Sequence, residues 1–160
     1  MLDLPQAAGN LPEGIKENKF KAILFDVGIH QRIQRNDITP LLMGHNDKDI
    51  NRGGIAEAFV GTEFVKYGAP HIPPSLYYWH REARNSNAEV DYIIQRGDEI
   101  IPLEVKSGTK GQMQSLHLFL SERNLPQGIR ISTENFAEYG KIRTVPLYAV
   151  SRLFGRDFEI

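Results

Sequence analysis

Two runs, Glu89-Val90-Asp91-Tyr92-Ile93-Ile94-Gln95 and Glu99-Ile100-Ile101-Pro102-Leu103-Glu104-Val105-Lys106, separated only by Arg96-Gly97-Asp98, decide how this chain folds. Both are rich in β-branched residues, and the break between them is short and polar, so they read as strands joined by a tight turn. Just upstream, Leu76-Tyr77-Tyr78-Trp79-His80-Arg81-Glu82 is an aromatic run closed by the turn residues Asn85-Ser86-Asn87. Three such runs predict an antiparallel meander. Pro102 predicts a bulge, or a position whose ladder N–H is not needed.

Working outward, Met113, Leu116, Phe119 and Leu120 recur at helical spacing until Asn124-Leu125-Pro126. Gly128-Ile129-Arg130-Ile131-Ser132 then reads as a fourth strand. A helix between the third and fourth strands is a crossover, which implies a parallel pair within a mixed sheet. Val145-Pro146-Leu147-Tyr148 reads as a fifth strand and Ala149 to Phe154 as a short helix. Upstream, Ile55 to Tyr67 reads as a helix with Ile55, Phe59, Thr62 and Lys66 on one face and Val60 and Phe64 on another. Gly68 to Pro74 breaks it. Phe20 to Gly28 reads either as a strand or as a buried turn into a helix-like Ile29 to Arg35, a choice that periodicity does not make. Asn36 to Arg52 reads as loop or short helical pieces. The expected organisation is an irregular lead-in over 1–19 and one domain over 20–160, a length that suits a single core.

The bulk numbers narrow the function classes. Hydrophobic residues make up 41% and charged residues 24%, as in a soluble globular protein. A net charge of -1 gives no whole-protein field for nucleic acid, so any such contact needs a local patch or a metal. The absence of cysteine excludes disulfides and thiolate metal sites and fits a reducing compartment. No apolar run approaches the roughly 20 residues of a membrane span, and residues 1–14 lack the pattern of a secretory signal. The expectation is a cytoplasmic protein with no membrane partner.

Alternation places Glu104 and Lys106 on one face of their strand and Glu89 and Asp91 on one face of its neighbour. Asp91, Glu104 and Lys106 are therefore expected in one small area. Two carboxylates are hard oxygen ligands for Mg²⁺. A bound ion lowers the pKa of a water and neutralises charge building on a phosphoryl oxygen, and a nearby ammonium orients that water. Spacing alone fits a solvated face with a cross-strand ion pair at least as well, worth about 0.2 to 1 kcal/mol.

These blocks, taken in order, resemble a known family. Leu76-Tyr77-Tyr78-Trp79, Ala88-Glu89-Val90-Asp91-Tyr92-Ile93-Ile94 and Ile101-Pro102-Leu103-Glu104-Val105-Lys106-Ser107-Gly108 look like the C-terminal domain of unknown function of bacterial and archaeal AAA+-type ATPases. Phe25-Asp26-Val27-Gly28 is similar to its "lDxG" segment, and Gly54-Ile55-Ala56-Glu57-Ala58-Phe59-Val60 to its "GxxxExxV" helix. Leu116 and Phe119 are similar to its "sLxxF" helix, and Val145-Pro146-Leu147-Tyr148 to its closing strand. That domain is similar to the PD-(D/E)XK, or restriction-endonuclease-like, nucleases. The resemblance implies an α/β fold with a central mixed sheet flanked by helices, and Asp91, Glu104 and Lys106 as catalytic residues. It also implies Asp91, Glu104 and Glu57 as ligands of Mg²⁺ or Mn²⁺, with nucleic acid and an AAA+-type ATPase domain as partners. The chain has no GxxxxGK[ST] phosphate loop, since Gly108-Thr109-Lys110-Gly111 lacks the spacing, so ATP chemistry does not carry over. Three functions remain open: metal-dependent phosphodiester hydrolysis, a catalytically silent DNA-binding or regulatory module, or a separated fragment whose function needs an ATPase partner or a second copy of the chain.

Other candidates are weaker. His30, His45, His71, His80 and His117 show no zinc-site spacing. Arg81, Arg84, Arg96 and Lys110 suggest a phosphate-binding rim, offset by Glu82, Asp98 and Glu99. Gln112 and Gln114 read as surface residues, and Trp79 with Tyr77 and Tyr78 as packing rather than a base-stacking platform.

Overall fold

The three runs around Asp91 pair as the sequence predicts, and the rest of the chain is laid on both sides of them. The structure is a computed structural model. It describes residues 2–7, 15–35, 39, 43, 52–67, 71, 76–81, 87–96, 98–108 and 111–154. Its strands are β1 (Leu2–Ala7), β2 (Ile15–Ile23), β3 (Leu76–His80), β4 (Glu89–Arg96), β5 (Glu99–Val105), β6 (Gly128–Ser132), β7 (Ala137–Tyr139) and β8 (Ile142–Pro146). The helices are α1 (Val27–Ile33), α2 (Arg52–Lys66), α3 (Gln114–Glu122) and a 3-10 helix over Leu147–Phe154.

The sheet order is β2-β1-β3-β4-β5-β6-β8-β7. β3, β4 and β5 form the antiparallel meander, and β6 joins β5 in parallel after the α3 crossover. β8 adds a second parallel pairing and β7 an antiparallel edge. These six make a central mixed sheet flanked by helices. The β1–β2 hairpin extends it, with one parallel pairing position among the described residues, Gln6 with Tyr78.

Two apolar layers sandwich this sheet. Ala56, Val60 and Phe64 of α2 and Ala149, Val150 and Leu153 of the 3-10 helix pack on Tyr92, Leu103, Ile129 and Val145. Met113, Leu116, Phe119 and Leu120, at and along α3, pack on Trp79, Val90 and Ile93. Trp79 meets Phe119 edge to face, centroids 5.2 Å apart, which accounts for the aromatic run as packing. Ile101, Leu103 and Val105 all face the α2 layer, so Glu104 points the other way. Every residue of β6 is buried, as expected for a strand inside a sheet covered on both faces.

Several expectations change. Leu2–Ala7 is a strand where an irregular lead-in is expected, and β2 begins at Ile15. Their pairing with each other supplies an order that local composition does not signal. Phe20 to Gly28 resolves into the end of β2 and the start of α1, whose first turn is capped by Asp26 accepting from the Ile29 N–H at 2.8 Å. α2 buries Ala56, Ala58, Val60, Gly61, Thr62 and Phe64, while Ile55 and Phe59 are only half-buried. β8 starts at Ile142, three residues before the expected strand, and the chain turns into the 3-10 helix at Leu147. Pro102 causes no register shift in the β4–β5 pairing. It lies before the β5–β6 pairing, which runs from Leu103 to Val105, so its missing N–H interrupts nothing there. Most of Asn36 to Arg52, most of the Pro-rich break and the Asn85-Ser86 turn lie outside the described residues.

α2 approaches the sheet closely because Gly61 has no side chain. A Cβ there would stand 2.5 Å from the Tyr92 hydroxyl and 2.8 Å from Ile23 Cδ1. Tyr92 is fully buried and its hydroxyl donates to the Glu57 carbonyl at 2.8 Å, so the ring has little room to yield. Gly61→Ala is expected to lower stability by about 1–2 kcal/mol, overpacking outweighing the better helix propensity. Urea denaturation of the two proteins measures it, and an equal or higher midpoint for the variant contradicts this packing account.

Candidate functional site

Asp91 owes its position to an irregularity in β4. Tyr77 pairs with Ile93 and Trp79 with Val90, so the single residue Tyr78 on β3 opposes both Asp91 and Tyr92. That is a β-bulge, which re-aims side chains. Val90 and Ile93 both pack in the α3 layer while Tyr92 packs in the α2 layer, which strict alternation from Val90 to Ile93 forbids. The bulge thus puts Asp91 beside Tyr92 rather than opposite it. The β4–β5 pairing ends at Tyr92 with Leu103. Beyond it the Asp91 Oδ2 accepts the Val105 N–H at 2.8 Å, while the next N–H along, that of Lys106, goes to the Ile131 carbonyl at 2.8 Å. A side-chain carboxylate therefore takes the place of a ladder carbonyl on β5.

Glu104 and Lys106 share the opposite face of β5, and Lys106 Nζ donates to Glu104 Oε1 at 2.7 Å. The other Glu104 oxygen, Oε2, is buried and has no hydrogen-bond partner. Beside them on β6, Arg130 pairs in register with Glu104. It donates to Glu134 at 3.0 Å and to the Gly108 carbonyl at 3.3 Å, holding the turn that follows Lys106.

The sequence reading missed Lys21. Its ammonium, carried on β2, forms an ion pair with Glu57 of α2, donates to Glu89 at 2.7 Å and lies 3.7 Å from Asp91. It also sits 5.9 Å from the ring centres of both Tyr78 and Tyr92. The one available signal was a lysine interrupting the apolar run from Phe20 to Phe25. The structure thus brings Asp91, Glu104 and Lys106 into one region, and connects Glu57 to Asp91 through Lys21. Among the described residues no three His, Asp or Glu side chains converge closely enough to hold a metal ion as they stand.

The electrostatics follow from this crowding. Burial, then the Glu57 charge, pushes the Asp91 carboxyl up from 3.8 to about 6 against the opposing pull of Lys21, the Val105 N–H and Lys106. Burial, then the Asp91 charge, pushes Glu104 from 4.5 to about 7 despite its bond to Lys106. Burial disfavours the Lys21 ammonium, but the Glu57 and Asp91 charges and the bonds to Glu57 and Glu89 outweigh it and raise its pKa. Tyr92 is raised by burial and by the Glu57 and Asp91 charges.

The remaining candidates fall away from this cluster. Arg81 pairs with Glu122 of α3 at 3.0 Å, and Gln114 bonds Gln112 on an exposed surface. Arg84, Glu82 and Lys110 lie outside the described residues. No helix among the described residues is long and apolar enough to cross a membrane.

Fold and cluster together define a mixed α/β domain with a buried carboxylate–lysine site between its central strands. Residues 52–150, more than half of the 160, match the model of a domain of unknown function, DUF4143, and the chain belongs to that family. The match contains Glu57, Asp91, Glu104 and Lys106; Lys21 lies outside it. Neither a curated protein nor a solved structure matches the chain.

The raised carboxyls give stability a definite pH dependence. Unfolded, Asp91 and Glu104 ionise near 4; folded, near 6 and 7. Between these values the folded state binds more protons, so stability contributed here is present at low pH and is lost as pH rises through the folded pKa values. Each carboxyl then costs the folded state on the order of 3 kcal/mol at alkaline pH. Asp91→Asn keeps an acceptor for Val105 and imitates the protonated group. In chelator-treated buffer, its Tm relative to wild type is expected to be higher at pH 8 than at pH 5. A difference that does not change with pH contradicts the assignment.

Proposed function

We propose that this domain is a PD-(D/E)XK-like module that hydrolyses phosphodiesters in nucleic acid with Mg²⁺ or Mn²⁺. The observation that carries the reading is Glu104: a buried carboxylate beside Asp91, with one oxygen lacking any partner. Two repelling carboxylates of this kind are short of a cation, and both offer the hard oxygens that these ions prefer. Mg²⁺ needs only one or two protein carboxylates and keeps its waters, so a two-carboxylate donor set fits. Asp91 and Glu104 would hold the ion, with Glu57 reaching it through a water. A bound divalent ion supplies Lewis-acid activation of water and neutralises charge on the phosphoryl oxygens.

The chain's own residues do the rest. The Val105 N–H fixes the Asp91 carboxylate at Oδ2, and Oδ1 lies 3.7 Å from the Lys21 ammonium. Lys106 holds Glu104 through Oε1 and carries further ammonium protons, with which it positions a water or a phosphate oxygen. Arg130 holds the turn after Lys106 through the Gly108 carbonyl and so limits where that lysine reaches.

A second reading has its own support. Lys21 already neutralises part of the cluster from within the chain, as expected of a catalytically silent module that binds DNA or an AAA+-type ATPase partner. Cleavage assays separate the two. With Mn²⁺ or Mg²⁺ the purified protein is expected to cut single- or double-stranded DNA or RNA, and Lys106→Ala to slow this about 100-fold or more. No cleavage of any of these with either metal rejects the hydrolytic reading in favour of the silent one.

A further inference from the structure

We propose that Lys21 is a tethered cation that competes with the divalent metal for the Asp91 carboxylate, so that the β1–β2 hairpin governs metal loading. The inference rests on reading Asp91 and Glu104 as the metal pair, and it adds a regulator to that site.

Three observations carry it. The first is position. The Lys21 ammonium is held by Glu57 and Glu89, with Asp91 at 3.7 Å, so it occupies the point where three carboxylates face one another. An ammonium bonds carboxylates at about 2.8 Å, whereas Mg²⁺ bonds them at about 2.1 Å. Carboxylates spread around an ammonium are too far apart to chelate, which explains why no three of them converge on an ion site. The second is what the lysine leaves unserved. Glu104 Oε2 is buried without a partner. The chain's own cations therefore balance Glu57 and Glu89 while leaving one oxygen of the metal pair without a bond.

The third is access. Lys21 and Glu57 line a cleft of about 250 Å³ between β2, α1 and α2, together with His30, Gln34 and Tyr92. The lysine side chain is 24% exposed. Its strand belongs to a hairpin that, among the described residues, pairs with the central sheet only at Gln6 with Tyr78 and is anchored to the α2 layer by the buried Ile23. The Lys21 side chain thus borders open space, and its strand is not one of the six central strands. Once the ammonium withdraws, Glu57 and Asp91 lose their shared counterion, and a divalent ion restores the balance with two charges in place of one. Lys21 acts on Asp91 by charge and touches no substrate, so it is a regulatory residue and not a catalytic one.

Calorimetric titration of the full chain with MnCl₂ tests the idea. Lys21→Gln, which keeps the length and hydrogen bonding but removes the charge, is expected to bind Mn²⁺ at least about tenfold more tightly than wild type. Lys21→Arg, which keeps the charge, is expected to stay at or below wild-type affinity. Melting adds a second readout. Lys21→Gln is expected to melt below wild type in chelator and to gain more from Mn²⁺ than wild type does. If Lys21→Gln does not fold without metal, recovery of cooperative melting on adding Mn²⁺ supports the proposal and no recovery overturns it. Equal affinities in wild type and Lys21→Gln overturn it while leaving the metal site itself standing. Absence of Mn²⁺ binding in both proteins overturns both. Tighter binding by Lys21→Gln without cleavage supports the competitor and rejects only the hydrolytic reading.

Discussion

The hydrogen bond from the Val105 N–H to the Asp91 carboxylate is the constraint on which the site depends. It lies where β4 and β5 stop pairing, in the middle of a sheet covered on both faces. A buried N–H there needs an acceptor, and leaving it without one costs about 1–3 kcal/mol. The bulge at Asp91 and Tyr92 meets that need with a side chain. One irregularity therefore does three things. It ends the antiparallel ladder, satisfies β5, and plants a carboxylate next to Glu104. Tyr92, the other bulged residue, ties the same spot to α2 through the Glu57 carbonyl. Gly61 permits that approach.

Around this bond the charges are at odds with the fold. Glu57, Glu89, Asp91 and Glu104 gather near two ammonium groups, Lys21 and Lys106. Burial raises both Asp91 and Glu104 toward neutrality. A domain selected only for stability would replace such a pair with apolar residues, since buried charges seldom recover their desolvation cost. Perturbed carboxyls in one cluster are a functional signature in general, with the reservation that structural ion pairs perturb pKa too. In this cluster one Glu104 oxygen is buried without a hydrogen-bond partner, as is the Nε of Arg130, its in-register neighbour on β6.

The layering has a consequence for the two halves of the site. Glu104 and Lys106 belong to the α3 face, whereas Lys21 and Glu57 belong to the α2 face. Asp91 stands between them at the end of the β4–β5 ladder and senses both. Glu89, which Lys21 also bonds, adds a smaller charge effect on Glu104.

Much of this molecule was legible in its sequence. The meander, α2, α3, β6 and the parallel crossover follow from apolar periodicity and turn residues within a few positions of each other, which is what local sequence encodes. Asp91, Glu104 and Lys106 were identifiable for the same reason, since two strands and a short turn carry them. Tertiary structure alone decided the rest. β1 and β7 are ordered by pairing and carry little signal of their own. The bulge depends on a one-residue offset between β3 and β4, set by how Tyr77 and Trp79 pack on partners elsewhere. Lys21 reaches Glu89 across 68 residues of chain. No local pattern records such a contact, because it exists only once the hairpin and α2 have closed over the sheet.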